Sequence, residues 1–289
     1  MFRKIILSKS LTQCRVKSIR HNSSLLSEAK EILKDSGEGK ILLEKDGSSG
    51  IATITIDNQP KMNAISGSMM TQLDSILDEL EAWDAGKGVI LRSAGNIFCS
   101  GGDLSQKGNN VLGTPRGGLL MATLLGHNLT RLFSLPLVTV SLVHGKAIGA
   151  GAEFTTSTDF RVFSPSGEVC FAQGRMGVTT GLGGGTRLVK ILGPRLALDL
   201  LTTSRKLKGE DALGMGFADY LLSGKDNYSE TKDWLCGRLV HHAAVIQALK
   251  KIVIGARDLS LEDSLSNEIK IFSPMWGGPL NLEAISKKI

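Results

Sequence analysis

The chain has 289 residues, 42% hydrophobic and 21% charged, enough for one large core or two modest domains. No stretch approaches the roughly 20 apolar residues of a membrane-spanning helix, so a soluble protein with no membrane association is expected. The formal net charge of +6 is carried by the first 27 residues, and the neutral remainder interleaves its basic and acidic residues with no stripe for nucleic acid.

Residues 1–27 hold Arg3, Lys4, Lys9, Arg15, Lys17 and Arg20, six serines, and no Asp or Glu. That composition reads as a mitochondrial presequence, which places the protein in the matrix, or else as a disordered basic arm. Residues 28–289 read as a single domain, with a core over about 40–225 and a helical region over about 226–289. From Lys40 two short strands are expected, KILLEKDG and GIATITID, the second alternating Ile51, Thr53 and Thr55 against Ala52, Ile54 and Ile56. A helix follows over about Ser68–Ala85, where Met69, Leu73, Ile76, Leu77, Leu80 and Trp83 recur at helical spacing. The same order repeats: a strand at Gly88–Arg92, a helix near Leu119–Leu135 closed by Pro136, a strand at Leu137–Val143, and a helix from about Gly151. Short strands are expected at Asp159–Phe163 and Glu168–Ala172, then a helix over Gly181–Gly193 that begins in a glycine-rich turn. The rest is mostly helical, including Ser229–His242 and Val245–Gly255. Strands alternating with helices predict an α/β architecture.

The chemistry concentrates in two glycine-rich turns, FCSGGD at Phe98–Asp103 and HGKAIGAGAEF at His144–Phe154, each after an apolar β-type run. Such turns present bare backbone N–H groups, and two converging on one carbonyl oxygen form an oxyanion hole. Taken singly, either turn is equally a packing device. Glu153 follows the second turn at a helix start, a place that suits a carboxylate through the helix dipole as well as through catalysis. Cys14, Cys99, Cys170 and Cys236 form no CxxC pair, and the five histidines have no ligand spacing, so neither a disulfide framework nor a metal site is expected. His241 and His242, near the end of a helical stretch, read as solvated. GAGAEF and GLGGGT lack the third glycine of a dinucleotide fingerprint, and no phosphate loop is present.

PKMNAIS, NIFCSGGDL, HGKAIGAGAEF and RMGVTTGLGGGTRLV, in this order, resemble the crotonase (enoyl-CoA hydratase/isomerase) superfamily over about residues 40–289. The resemblance implies a spiral of ββα units with a helical C-terminal trimerisation region, a homotrimer or hexamer, an acyl-CoA thioester substrate, and no cofactor beyond the coenzyme A of the substrate. It implies that Gly102 and Ala150 donate the two N–H groups to the thioester oxygen, Ala150 standing where the superfamily usually has glycine. It also implies that Lys61, Met62, Asn63, Ala64, Asp103 and Leu104 meet the coenzyme A portion. Hydratases of the superfamily resemble one another in two glutamates. Glu153 matches the first, whereas Gln173 stands where the second belongs, and an amide cannot exchange a proton at neutral pH.

MNAISGSMM, GAEFTT, GGTRLV and the terminal MWGGPLNLEAISKK are similar to a subgroup of decarboxylases. That likeness implies a lyase acting on ethylmalonyl-CoA, and less efficiently on methylmalonyl-CoA, as a clean-up step in acyl-CoA metabolism. In that reading Gly102 and Ala150 hold the enolate, Gln173 positions the departing carboxylate, and Glu153 orients the site or relays the final proton. The subgroup is largely cytosolic, which sets the cytosol against the matrix as the location. The alternatives are a hydratase or isomerase using Glu153 alone, and a non-catalytic acyl-CoA-binding or scaffolding protein.

Overall fold

The computed structural model describes residues 23–103 and 113–287, so most of the basic N-terminal segment and Leu104 lie outside the described residues. Helix α1 (residues 23–33) starts inside the basic segment and buries Ala29 and Leu33. The chain then pairs β1 (Lys40–Asp46) with β2 (Ile51–Asp57) as an antiparallel hairpin, in the register Leu43↔Ile54. Beyond β2 every step across the main sheet is parallel: β3 (Gly88–Ser93), β4 (Val138–Val143), β6 (Phe160–Phe163) and β9 (Tyr220–Leu221). A second sheet joins β5 (Lys146–Ile148), β7 (Glu168–Cys170) and β8 (Leu207–Lys208) in that order.

Parallel neighbours need crossovers, and the helices supply them. Helix α2 (Gly67–Glu81) begins where the Ser66 hydroxyl accepts the Met69 amide, and it buries Leu73, Leu77 and Leu80 against the sheet. It stops four residues short of the expected Ala85, and a turn at Trp83–Gly86 leads into β3. Helix α3 (Pro115–Phe133) starts earlier than Leu119, with Thr114 as cap and proline in the first turn, where its missing N–H is harmless. Short α4 (Ala150–Thr155) and long α5 (Gly184–Thr203) follow, then α6 (Gly209–Gly214). Glycine-rich residues before Gly184 form a turn, as expected. Helix α5, however, does not end at Gly193: the backbone breaks there, at φ 76° and ψ 166°, and resumes helically through Pro194. Proline starts the second half because its absent N–H belongs to a first turn.

The opposite face of the sheet carries a second core, in which Ile51, Ile90, Val140 and Val162 meet Leu235, Leu239 and Ile246. The alternation along β2 is therefore two-sided burial, and Thr53 is buried with its hydroxyl 3.0 Å from the Tyr228 hydroxyl. Helix α7 (Asn227–Cys236) ends six residues before the expected His242. His242 instead caps α8 (Ala243–Asp258), its Nδ1 accepting the Ala244 amide. Helix α9 (Leu261–Phe272) and α10 (Pro279–Ser286) bury no residue, and Leu261, Leu265, Ile269 and Phe272 form an exposed apolar stripe on α9.

Taken in order, each turn of the chain contributes a strand to the large sheet, a short extended piece to the small one, and a helix. Cys99 serves as that piece between β3 and α3, bridging in parallel to Ala147 of β5. This is the spiral of ββα units expected from the sequence.

Candidate active site

Backbone pairing sews the two glycine-rich turns together. Lys146 O accepts the Cys99 amide at 3.0 Å, and Cys99 O accepts the Ile148 amide at 2.8 Å. Two glycines permit the approach: a methyl on Gly145 would sit 2.1 Å from Asn96 O, and one on Gly151 would sit 2.2 Å from Cys99 O. The second turn follows β4 directly and contains β5, which brings the chain alongside Cys99 before α4 begins. Cys99 itself is fully buried, with its thiol against Gly101 O and pushed up to about 12 by burial, so it is not a nucleophile.

The amides of Gly102 and Ala150 donate to no acceptor among the described residues. The neighbours of Gly102 are engaged, since Gly101 O accepts the Ile65 amide and Asp103 N–H donates to Ile65 O, which leaves the intervening N–H turned the other way. Ala150 is the first residue of α4, where an N–H has no intrahelical partner. A methyl built on Gly101 would lie 3.9 Å from the Ala150 nitrogen, so the two turns hold these groups close together. Gly102 is exposed and Ala150 half-buried, leaving both reachable by a ligand. Two such donors can hold an enolate or tetrahedral oxygen.

The loop Asn58–Ser66 is laced to the first turn. Ser100 N–H donates to Met62 O, and the Lys61 ammonium lies 2.9 Å from the buried Asp103 carboxylate. Asn63, only 1% exposed, has its side chain fully used: Oδ1 accepts the Asn58 amide, and Nδ2 donates to Ala94 O and Ile97 O. These bonds hold Met62 and Asn63 in the left-handed region, at φ 54° and 57°. Ala64 is buried, whereas Met62 is 59% exposed.

Glu153 lies one helical turn beyond Ala150 and is 2% exposed. Its Oε2 accepts the amides of Leu182 and Gly184, at 3.0 and 2.8 Å, and its Oε1 accepts Gln173 Nε2 at 2.9 Å. Gly184 has to be glycine here, since a methyl would meet Glu153 Cγ at 2.3 Å. The structure thus brings Gly102, Ala150, Glu153 and Gln173 to one locality. Arg187, which the sequence reading missed as a site residue, completes the electrostatics. It is buried, with Nε on the Thr156 hydroxyl and a terminal nitrogen on Leu182 O, and burial pushes its guanidinium down to about 10 while Glu153 opposes that shift. Its sequence signal is an arginine three residues into an apolar helix, a place that requires a buried partner.

His144 clamps the start of the second turn, with Nδ1 3.2 Å from Leu142 O, Nε2 3.1 Å from Gly95 O, and the Phe98 ring against its edge. Burial pushes the imidazole below its ordinary value of 6.5, outweighing the two carbonyls that favour the charged form. Since the folded protein binds this proton more weakly than the unfolded chain, its contribution to stability is complete above about pH 6.5 and is lost as pH falls. The melting temperature is therefore expected to drop between pH 7.5 and 5.5, and to drop less in His144→Asn. Equal drops in the two proteins would show that His144 is not the group responsible.

The enoyl-CoA hydratase/isomerase family model matches residues 46–276, which span β2 to β9, both turns and helices α2 to α9. The chain belongs to this family. Solved structures of the family share its fold: an enoyl-CoA hydratase from Bacillus anthracis superposes with a TM-score of 0.78 at 19% identity, covering 85% of this chain and 94% of that one. A putative enoyl-CoA hydratase from Thermobifida fusca, in complex with acetoacetyl-CoA, gives a TM-score of 0.73 at 24% identity, over 88% of this chain and 97% of that one. Within the family, the ethylmalonyl-CoA decarboxylase of Homo sapiens is 43% identical over 264 residues, covering 90% of this chain and 85% of the relative. That of Rattus norvegicus is 40% identical over 296 residues, covering 99% and 98%.

Proposed function

We propose that this family member is a carboxy-lyase that decarboxylates ethylmalonyl-CoA, and methylmalonyl-CoA less efficiently, as a clean-up step in acyl-CoA metabolism. Likeness to ethylmalonyl-CoA decarboxylases over nearly the whole chain supports the reaction class. The observation that carries the mechanism is the pair of unengaged amides, Gly102 and Ala150, set beside a carboxylate that is already fully hydrogen-bonded.

Breaking the bond between the α-carbon and its carboxylate leaves an electron pair that the thioester carbonyl can take up, so the reaction needs an oxyanion hole and no base. The coenzyme A of the substrate is the only cofactor in this reading, its length running past Met62 and the Lys61–Asp103 pair. A second ionised carboxylate beside the malonyl group would repel it by about 4 kcal/mol at 4 Å for an effective dielectric near 20. Gln173 puts a neutral amide there. We also propose a homotrimer closed over the exposed apolar stripe of α9, and import into the matrix through the acid-free basic N-terminus.

The test is carbon dioxide release from malonyl-, methylmalonyl- and ethylmalonyl-CoA, measured beside hydration of crotonyl-CoA. Release is expected to be fastest from the ethyl compound, with little hydration. Rapid hydration with no carbon dioxide would make the protein a hydratase, and binding without turnover would make it a carrier.

A further inference from the structure

Gln173 carries a side-chain oxygen that no donor meets. Its Oε1 is buried and has no hydrogen-bond partner among the described residues, while its Nε2 donates to Glu153. The carboxylate imposes this orientation, because an amide oxygen turned toward Glu153 would set two acceptors face to face. Glu153 cannot swing away, since its other oxygen is held by the amides of Leu182 and Gly184 at the start of α5. The amide is locked with its acceptor end unanswered, a state that is unfavourable for a buried acceptor.

Its partner therefore has to bring a proton. The acyl half of a malonyl thioester offers only a carboxylate, a carbonyl and hydrocarbon, none of which donates. Water does, and Gln173 borders a cleft of about 660 Å³ together with Arg175, Thr179, Thr180 and Ser204.

We infer that Gln173 Oε1, locked by Glu153, seats the water that protonates the enolate. The inference rests on the decarboxylase reading and specifies its second half. Loss of carbon dioxide passes the electron pair of the broken bond into the enolate held by Gly102 and Ala150. The seated water gives one hydrogen to Gln173 Oε1 as a hydrogen bond and transfers the other, as a proton, to the α-carbon. The hydroxide left behind takes a proton from solvent through the cleft, so one proton is consumed for each carbon dioxide released. Gln173 and Glu153 exchange no proton at any stage. Both are positioning residues.

A water held on one side of the enolate delivers to one face, and the product records which. Decarboxylation of ethylmalonyl-CoA in D2O should give butyryl-CoA with its α-deuterium in a single configuration. Gln173→Ala, slower in turnover, should give a mixture approaching equal amounts of the two. Glu153→Gln keeps the size of every side chain but lets the Gln173 amide turn, and it should also lose selectivity although Gln173 is still present. Melting temperatures of both variants report whether the fold is intact, and either variant suffices if the other does not fold. A wild-type enzyme that releases carbon dioxide but deuterates both faces, or variants that stay selective, would overturn the inference and leave the decarboxylase reading standing. No carbon dioxide from any malonyl thioester would overturn both.

Discussion

Gly102→Pro is expected to lower carbon dioxide release by about 10²–10³-fold while leaving the protein folded, because it deletes one of the two donors proposed for the developing oxyanion. The local geometry makes the substitution unusually clean. A Cβ at Gly102 meets nothing within 4 Å, and the bridge to Ile65 uses the amide of Asp103 and the carbonyl of Gly101, so no existing hydrogen bond is lost. Gly102→Ala, which keeps the N–H and fits the same open space, serves as the control and should stay close to wild type. Steady-state turnover and melting temperature measured together decide the matter. A folded proline variant with ordinary turnover would reduce Gly102 to a turn residue.

The second large effect is expected at Gly151, where the added methyl would sit 2.2 Å from Cys99 O. That carbonyl is fixed by its bond from the Ile148 amide, so the strain falls on backbone that cannot shift alone, and Gly151→Ala should cost about 1–3 kcal/mol as an overpacked contact. It should also depress turnover, since the same displacement separates the amides of Gly102 and Ala150. The comparison is Gly118→Ala in α3, where a Cβ meets nothing within 4 Å and helix propensity favours alanine by about 0.5–1 kcal/mol. Calorimetric melting of the two variants should move in opposite directions. Unchanged stability and activity in Gly151→Ala would mean that the contact between the turns is slack.

The order of strands and helices was legible because each long element carries its own period: Leu73, Leu77 and Leu80 mark α2, and the apolar run of β4 needs no partner to be recognised. What stayed hidden depends on contacts between distant residues. Strand β5 has three residues flanked by glycines, too few to show a period, and it exists because Cys99 and β7 pair with it from either side. The two glycine-rich turns could be singled out from their glycines. The partners of Glu153 could not, since Leu182 and Gly184 offer backbone amides that no side chain announces. Asn63 shows the converse: its motif suggests a ligand, yet a buried amide with several bonds to make finds them in the neighbouring loop. His242 as a helix cap went unread because an imidazole acceptor is an uncommon substitute for the usual short polar caps.

The pairing of Cys99 with Ala147 also determines when the protein can acquire activity. Neither the Gly102 nor the Ala150 amide is placed by its own turn: the bridge of Gly102 to Ile65 and that of Cys99 to Ala147 join segments nearly forty and nearly fifty residues apart, and Glu153 is then fixed by amides some thirty residues further on. Contacts of that separation close late, after the loop entropy between them has been overcome. During refolding, sheet and helix signals should therefore return ahead of turnover. In the native state, any fluctuation that parts the small sheet from Cys99 extinguishes the site at once, which makes catalytic activity a direct reporter of the most non-local part of the fold.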